Sequence, residues 1–254
     1  GEIRGNAMCG RFTITTDRVE FILKKFHAVL APGFSGLTPR YNVAPGQLVP
    51  AIVAKEDGVR YLTDVFWGFV PPWGEEKGPA GYQANIRDDT IAKNKFFRSR
   101  LLSSRCILLA DGFYEWQKPP GYEHLERGKK LPRGVRKVPH RIVLNDREPF
   151  PLAGLWRTVD MNAKKVLTAG IVTTAANAVV APIHNRMPVI LREDELSLWL
   201  DPRSDDFDAL HGLLDSYPTE EMHTYVVSDA VNNSRNDVSE CIEPADSPRP
   251  GPSR

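Results

Sequence analysis

Proline is the residue type that most restricts the fold of this chain. The 254 residues include 21 prolines, and each one interrupts helical hydrogen bonding because it lacks a backbone donor. Long helices are therefore not expected. The apolar segments between the turns are short and rich in Val, Ile and Leu, which favours strands. Since these strands do not alternate regularly with helices, we predict an α+β fold with a curled, barrel-like mixed sheet and peripheral helices.

Turn signals and hydrophobic periodicity predict the individual elements. A helix that begins after Thr16 and Asp17 should present Val19, Ile22 and Phe26 on one face. The Asp57-Gly58 turn should join two strands in a hairpin. Further strands, helices and loops are assigned by the same reasoning. The predicted strands are 48–54, 61–70, 105–110, 140–144, 151–156, 169–174, 187–191 and 223–227, the other helices 91–102, 194–200 and 206–217, and the long loops 28–47 and 71–86.

The chain is expected to form one domain. Its length fits one large domain or two small ones, and it contains no internal repeat or strong boundary, so we assign a single domain to residues 8–235. Residues 1–7 are expected to be a leader or an added segment before a natural start at Met8. Residues 236–254 are expected to be a disordered tail, since the end of the chain is rich in proline.

Charge and hydropathy bound the partners that the chain could have. The net charge is only +1, so the molecule as a whole is not strongly attracted to nucleic acid or membranes. Residues 127–141 contain seven Lys or Arg and no acid, and this basic run is either a solvated loop or a rim that contacts phosphates. No apolar run reaches the roughly 18 residues that a membrane helix requires, so no membrane partner is expected.

The cysteines and histidines indicate neither a disulfide framework nor a metal site. The three cysteines, Cys9, Cys106 and Cys241, are odd in number and lack the spacing of zinc ligands. The histidines are scattered, so no metal and no other cofactor is expected. Cys106 begins an apolar run and should be a small core residue. A reducing cytoplasm is the simplest compartment for such a chain.

Cys9 follows Met8 close to the start of the chain, and its chemistry depends on what precedes it. Inside a chain, a cysteine is usually a small buried residue. If Met8 and the segment before it are removed, Cys9 carries a free amine and a free thiol. An aldehyde then forms a Schiff base with the amine, and the thiol closes a stable five-membered thiazolidine. While residues 1–7 are present, this product cannot form.

Three other polar residues could take part in chemistry. Glu115 lies among aromatic residues and is either a buried ion-pair partner or a proton donor and acceptor. His184 precedes a predicted strand and is either a structural, hydrogen-bonded residue or a general acid near neutral pH. Asn85 is either a turn residue or a group that orients a reacting amine or sugar.

Two arginines and two apolar residues suit nucleic-acid binding. Arg11 and Arg87 each lie two residues after a candidate catalytic residue, a spacing that returns a strand side chain to the same face. Arginine binds phosphate oxygens in a bidentate manner. Pro45 and Trp73 lie in loops, where they either stiffen the backbone and pack inward or, if exposed, stack on or wedge between bases.

Taken together, these segments resemble the successive motifs of the SRAP family, the SOS-response-associated peptidases, also called abasic-site processing proteins. The motifs occur in the family's order and extend from residue 8 to about residue 230. Any one of them alone is weak, whereas seven in order are specific. The matching segments are Met8-Cys9-Gly10-Arg11-Phe12, 41–46, 67–73, Asn85-Ile86-Arg87, 105–116, Ala153-Gly154-Leu155-Trp156 and 173–188.

The resemblance implies a function in DNA damage. It implies a positively charged DNA channel and a covalent crosslink between Cys9, exposed by self-removal of Met8, and the ring-opened aldehyde of an abasic site in single-stranded DNA. The thiazolidine would shield the lesion from strand cleavage. Asn85 would orient the amine and sugar, Glu115 would shuttle protons, and His184 would assist opening of the deoxyribose ring and reversal of the crosslink.

The resemblance also assigns the contacts to DNA. Arg11 and Arg87 would hold the phosphates that flank the lesion, and Pro45 and Trp73 would displace neighbouring bases. The chain lacks the long C-terminal extension of some animal members, so we expect a minimal, bacterial-type form that acts as a monomer.

The chain departs from the family pattern at the rim of the expected site. Ile86 stands where the family usually has Ala, Asp88-Asp89 follow Arg87 where a Glu is usual, and Arg157 follows Trp156 where a Glu is frequent. None of the four main residues is affected by these differences.

Two other functions fit the same residues. Cys9, His184 and Glu115 could form a thiol peptidase that acts on other proteins. The basic run and the aromatic residues could instead form a single-stranded DNA-binding module without catalysis.

Overall fold

The computed structural model describes residues 10–123, 129, 131–161 and 163–245 of the chain. Short strands dominate these ranges, as the proline content predicts, and every helix is short. The strands are β1 (Arg11–Ile14), β2 (Ala28–Leu30), β3 (Arg40–Val43), β4 (Leu48–Ala54), β5 (Arg60–Trp67), β6 (Asn85–Arg87), β7 (Arg105–Ala110), β8 (Gly112–Gln117), β9 (Val138–Leu144), β10 (Phe150–Met161), β11 (Lys164–Ala175), β12 (Arg186–Pro188) and β13 (Met222–Val226). The α-helices are α1 (Val19–Phe26), α2 (Asp88–Lys93), α3 (Lys95–Ser103), α4 (Leu196–Trp199) and α5 (Phe207–His211).

Five strands close into a barrel. β11 pairs with β10, β10 with β7, β7 with β4 and β4 with β5, all antiparallel. The ring closes because β5 and β11 pair in parallel, with Phe66 opposite Thr168 and Trp67 opposite Ala169. β6 and β12 extend the sheet from β11, and β2 extends it from β5. The predicted mixed, barrel-like sheet in a single domain is therefore confirmed.

The second sheet has the strand order β13-β9-β8-β1-β3 and packs on the barrel. Its strand β8 has two different faces, because successive side chains of a strand point in opposite directions. Phe113 is buried in the core that the sheet shares with the barrel. Tyr114 faces the other way and packs with Val227, Val231 and Cys241 from the end of the chain.

Strand β7 is a buried strand of the barrel and packs closely against β10. All six of its residues are buried, which suits a strand that has a neighbour on each side. Gly154 of β10 lies opposite Cys106, and a Cβ atom at position 154 would be only 2.6 Å from Leu108 Cδ1. Glycine is therefore needed where these two strands meet. Cys106 is fully buried, as predicted, and burial raises the pKa of its thiol.

Some predicted elements differ from the structure. The helix expected at 91–102 is divided into α2 and α3, because the Asn94 side chain accepts hydrogen bonds from the backbone of Phe96 and Phe97 at 2.9 and 3.3 Å and caps a new helix. The segments expected to be loops contain β2, β3 and β6, which are too short to give a clear alternating pattern. None of the described helices is long and apolar enough to cross a bilayer.

The structure describes only part of the predicted basic run. Residues 124–128 and 130 lie outside the described residues. Arg141, which was counted in the run, is buried and donates hydrogen bonds to Thr13 Oγ1 at 2.8 Å and to Asp111 Oδ1 at 3.2 Å. The interpretation of Arg141 as part of a solvated or phosphate-contacting rim is therefore wrong, because its charge is used inside the fold.

The folded part of the chain extends beyond residue 235, where the domain was expected to end. The Asp237 carboxylate accepts hydrogen bonds from the backbone N–H groups of Tyr41 and Asn42 at 2.5 and 3.0 Å and pairs with the Arg40 guanidinium. Cys241 is fully buried. The expectation of disorder is therefore wrong for residues 236–245, and the remaining residues, 246–254, lie outside the described part.

We predict that Asp237→Asn lowers the free energy of unfolding by about 1–3 kcal/mol, since it weakens charge-assisted bonds to three partners. Urea denaturation measures this change. Asp205→Asn, at an exposed position of the same residue type, is the control and should change stability by less than about 0.5 kcal/mol. Equal effects of the two substitutions would show that the C-terminal segment contributes nothing to the fold.

Candidate active site

Glu115 lies at the centre of the sheet that covers the barrel. It is only 4% exposed and lies on β8 between β1 and β9. Since side chains two apart on a strand share a face, Glu115 points to the same side as Phe113, towards the barrel. Arg11 of β1 pairs with Tyr114, the neighbour of Glu115. Cys9 itself lies outside the described residues, so its expected role is neither supported nor contradicted by the geometry.

His140 is the cross-strand partner of Glu115. Side chains of such a pair lie on the same face and close together. His140 Nε2 is 3.1 Å from Gln117 Oε1, and the Gln117 amide donates to the Pro182 carbonyl at 3.2 Å. These contacts hold the loop before His184 against the end of β8. Burial lowers the pKa of His140, because the charged imidazolium is poorly solvated there.

His184 is oriented by the backbone of Arg186. The Arg186 N–H donates to His184 Nδ1 at 3.1 Å. The Arg186 carbonyl is 3.2 Å from the same nitrogen. These two backbone contacts orient the imidazole ring.

A buried ion pair joins this histidine segment to the asparagine segment. The Arg186 guanidinium donates to Asp88 Oδ1 at 2.6 Å and to the Thr173 carbonyl, and Thr174 Oγ1 donates to Asp88 Oδ2 at 2.9 Å. Asp88 lies three residues after Asn85. The pair therefore fixes the two segments relative to each other, and the sequence did not predict it.

Asn85 begins β6 and is held from two sides. β6 pairs with β11, with Asn85 opposite Ile171. The preceding residue, Ala84, accepts a hydrogen bond from the indole Nε1 of Trp67 at 2.9 Å, and the Trp67 ring lies 4.9 Å from that of Phe12 in β1. These contacts connect the segment of Asn85 to β1 of the covering sheet, the strand next to the one that carries Glu115.

Arg11 is half-buried and is held by contacts to two other segments. Its Nη1 donates to Asn42 Oδ1 and to the Val231 carbonyl, each at 2.8 Å, and its guanidinium lies 5.6 Å from the centre of the Trp116 ring. It therefore lies on the opposite face of the sheet from Glu115. Because β1 begins at Arg11, the strand spacing that would place Arg11 beside Cys9 is not tested.

Arg87 lies two residues after Asn85 on the same short strand, β6. Its guanidinium is exposed and makes a bidentate ion pair with Asp89, at 2.9 and 2.7 Å. This hydrogen-bonded pair lowers the pKa of Asp89 to about 2. Both residues, with Lys93, line an open cleft of about 410 Å³. A phosphate that binds Arg87 must therefore compete with the Asp89 carboxylate.

The two predicted base-contacting residues have different settings. Trp73 is 48% exposed, and its ring packs edge-on against Phe96 and Phe97, with centroid distances of 5.1 and 6.0 Å. It can thus stack on a base while its edge remains supported. Pro45 is half-buried in the turn before Gly46, whose φ of +90° suits glycine.

Comparison with known proteins identifies the family. The model of the family "SOS response associated peptidase (SRAP)" matches residues 8–234 of this chain. This chain belongs to the SRAP family.

Curated SRAP relatives are similar over most of the chain. The abasic site processing protein YoqW of Bacillus subtilis is 36% identical over 239 residues, which cover 93% of this chain and 99% of YoqW. The abasic site processing protein HMCES of Gallus gallus is 32% identical over 238 residues, which cover 81% of this chain and 66% of HMCES.

Solved structures share the SRAP fold. A protein from Bacteroides thetaiotaomicron superposes with a TM-score of 0.74 at 23% identity, covering 92% of this chain and 99% of that chain. A second one, from Bordetella bronchiseptica, has a TM-score of 0.66 at 22% identity, covering 87% of this chain and all of the other. At these identities the likeness concerns the fold alone.

The structure adds residues to the site that sequence reasoning missed. His140 and Gln117 approach Glu115 and the loop before His184 only through the pairing of β8 with β9, for which no local motif exists. Asp88 and Asp89 were noticed only as departures from the SRAP pattern. Within the described part of the chain, no group of three His, Cys, Asp or Glu is placed to hold a metal ion.

We predict that the protein loses stability as the pH falls below about 6.5, partly through His140. Its pKa is lower in the folded state than in the unfolded state, so protonation favours unfolding, and the stabilisation is complete only above the unfolded pKa. Urea denaturation between pH 7.5 and 5 should show a smaller loss for His140→Gln than for the unchanged protein. His27→Asn, at an exposed histidine, is the control. If the free energy of unfolding of His140→Gln falls with pH as steeply as that of the unchanged protein, the prediction is wrong.

Proposed function

We propose that this protein recognises abasic sites in single-stranded DNA and forms a covalent thiazolidine crosslink through Cys9 once Cys9 is the first residue. The observation on which this depends most is the buried Glu115 in the strand next to β1, the strand that follows Cys9 in the chain. The segments that carry Asn85 and His184 are joined by the Asp88–Arg186 ion pair, which supports a common site. The names of the relatives YoqW and HMCES, both abasic site processing proteins, support the same substrate.

The proposed reaction uses both groups of an N-terminal cysteine. The amine attacks the C1′ aldehyde of the ring-opened abasic sugar, and the adduct loses water to give a Schiff base. The thiol then adds to the C=N carbon, forming the C–S bond, while the thiol proton moves to the nitrogen. The net change is the addition of protein to DNA with loss of one water, and no oxidant or reductant is required.

The described residues suit the proton transfers of this reaction. Glu115 is almost fully buried, so it can deliver a proton to the departing hydroxyl and accept one from the thiol without competition from bulk water. His184, oriented by the backbone of Arg186, would donate a proton to the sugar oxygen as the deoxyribose ring opens. The Asn85 amide would orient the amine, and its backbone is fixed by β11 and Trp67.

The free amine requires cleavage of the Met8–Cys9 peptide bond. We propose that the protein performs this hydrolysis on itself, with Cys9 and Glu115 close to the bond. Water supplies the hydroxyl of the new carboxylate at Met8 and a proton of the new amine. The family's description contains the word peptidase, which supports a hydrolytic step of this kind.

The DNA would cross the junction between the sheets. Arg87 would bind a phosphate next to the lesion after exchange with Asp89, while Arg11, held rigidly by Asn42 and Val231, would bind one on the other side. Trp73 and Pro45 would contact the neighbouring bases.

We predict that protein trimmed to begin at Cys9 gains the mass of an abasic oligonucleotide less one water in intact mass spectrometry. The chain of 254 residues should not react unless its first eight residues are lost.

Glu115→Gln in the trimmed protein should slow the crosslink at least about tenfold, since general acid–base catalysis typically contributes more than that. Cys9→Ser, which has the amine without the thiol, should give only an imine that hydrolyses.

A trimmed protein that forms no adduct would refute the proposal. Cleavage of unrelated peptides that is lost in Cys9→Ala would then favour a thiol peptidase. Retention of DNA without any covalent bond would favour a binding module.

We predict that Arg87→Ala weakens binding to single-stranded DNA and reduces the slope of log affinity against log salt by about 0.7, the contribution of one phosphate contact. Asp89→Asn should have the opposite effect on affinity, because it removes the carboxylate that competes with phosphate. Fluorescence anisotropy at several salt concentrations measures both. If neither variant changes affinity, the assignment of Arg87 to a phosphate is wrong.

A further inference from the structure

A second cationic feature lies beside Trp73, away from the residues assigned to the reaction. The exposed Trp73 ring packs on Phe96 at 5.1 Å, and the guanidinium of Arg100 lies 5.7 Å from the centre of the same Phe96 ring. The exposed Trp73 ring and the positive charge of Arg100 are therefore neighbours across the Phe96 ring of α3. This combination is typical of proteins that bind single-stranded nucleic acid.

Arg100 lacks a counter-ion in the described part of the chain. It is half-buried, its Nη1 donates to Ser104 Oγ at 3.3 Å, and no described carboxylate lies within ion-pairing distance. Its Nε is buried and has no hydrogen-bond partner among the described residues. Burial, and then the charge of Arg157, lowers the pKa of Arg100. A partly desolvated cation of this kind is costly without an anion.

Arg157 brings a second positive charge to the same place. The N–H of its neighbour Trp156 donates to the Ser104 carbonyl at 2.9 Å, which places β10 against the end of α3. Arg157 donates to the Val70 carbonyl at 2.9 Å and pairs with Glu75 at 2.6 Å. The Glu75 side chain is 49% exposed and lies on the surface turn Pro72–Gly81. Arg157 is thus neutralised by one exposed carboxylate, whereas Arg100 beside it has none among the described residues.

We propose that Arg100 and Arg157 form a second phosphate-binding subsite, which binds the backbone phosphate next to the base that stacks on Trp73. The inference rests on the proposed function, and it adds a contact at a distance from the lesion. Two guanidinium groups that repel each other across the contact of β10 with α3 suit a phosphodiester, which has several oxygens. The exposed indole beside them favours a nucleic-acid strand over a free phosphate, because a free phosphate has no base to stack.

Glu75 is expected to compete with the strand for Arg157. A phosphate that binds both arginines must displace the exposed carboxylate or bind beside it. Removal of the Glu75 charge should therefore tighten DNA binding, whereas removal of either arginine should weaken it. If this ion pair has only a structural role, Glu75→Gln and Arg157→Gln should change the affinity for DNA in the same direction.

The test uses full-length protein and an unmodified oligothymidylate, so that no crosslink contributes. Affinity is measured by fluorescence anisotropy across salt concentrations for Arg100→Gln, Arg157→Gln and Glu75→Gln. Each arginine variant should bind several-fold more weakly, with the salt slope reduced by about 0.7, and Glu75→Gln should bind more tightly. Arg98→Gln is the matched control, since Arg98 is on the same helix but stacks on Phe207 at 3.4 Å. Arg157→Lys keeps the charge and should retain most of the affinity, which separates charge loss from misfolding.

The outcomes distinguish this inference from the proposed function. If both arginine variants match Arg98→Gln while the trimmed protein still crosslinks abasic DNA, the subsite is refuted and the proposed function stands. If the unchanged protein binds no DNA, titration with inorganic pyrophosphate decides the anion chemistry. Pyrophosphate binding that is lost in Arg100→Gln and Arg157→Gln would support an anion subsite for a free phosphate compound. Absence of that binding would overturn the inference altogether.

Discussion

Trp67 connects the parts of the molecule that the site requires. It is fully buried at the end of β5. Its backbone lies opposite Ala169 of β11, in the parallel pairing that closes the barrel. Its ring contacts Phe12 of the covering sheet, and its indole N–H binds the carbonyl before Asn85. Its backbone carbonyl accepts from Gly46 at 2.8 Å, which fixes the turn that contains Pro45. One side chain thus sets the relative positions of the barrel, the covering sheet and the asparagine segment.

Ion pairs determine the electrostatics of the rim. Asp88 neutralises Arg186 in a largely buried pair, whereas Asp89 neutralises Arg87 at the surface. The two pairs have different consequences, because an exposed pair is weak and exchanges readily, while a buried one is costly to break. Asp88 therefore has a structural role in joining β6 to β12, and Asp89 can be replaced by an external anion.

The C-terminal segment stabilises the sheet that leads to Cys9. Asn42 is buried, and its amide donates to the carbonyls of Val231, Asn233 and Asn236 at 2.8–3.2 Å. Arg11 binds the Asn42 side-chain oxygen, so the start of β1 is linked to the end of the chain. Residues after 235 lie beyond the matched family region, yet Asp237 completes this network.

The sequence alone determined the fold class, the family and the types of residue available for chemistry. Strands such as 48–54 and 105–110 were predictable because their patterns and turns are local, and ordered motifs identified the SRAP resemblance. The tertiary structure alone decided that Glu115 faces the barrel beside His140, that Arg141 is buried, and that Asp89 forms an ion pair with Arg87. These features depend on pairings between distant segments, such as β8 with β9. Such pairings are selected by packing of the whole core, and no short stretch of sequence specifies them.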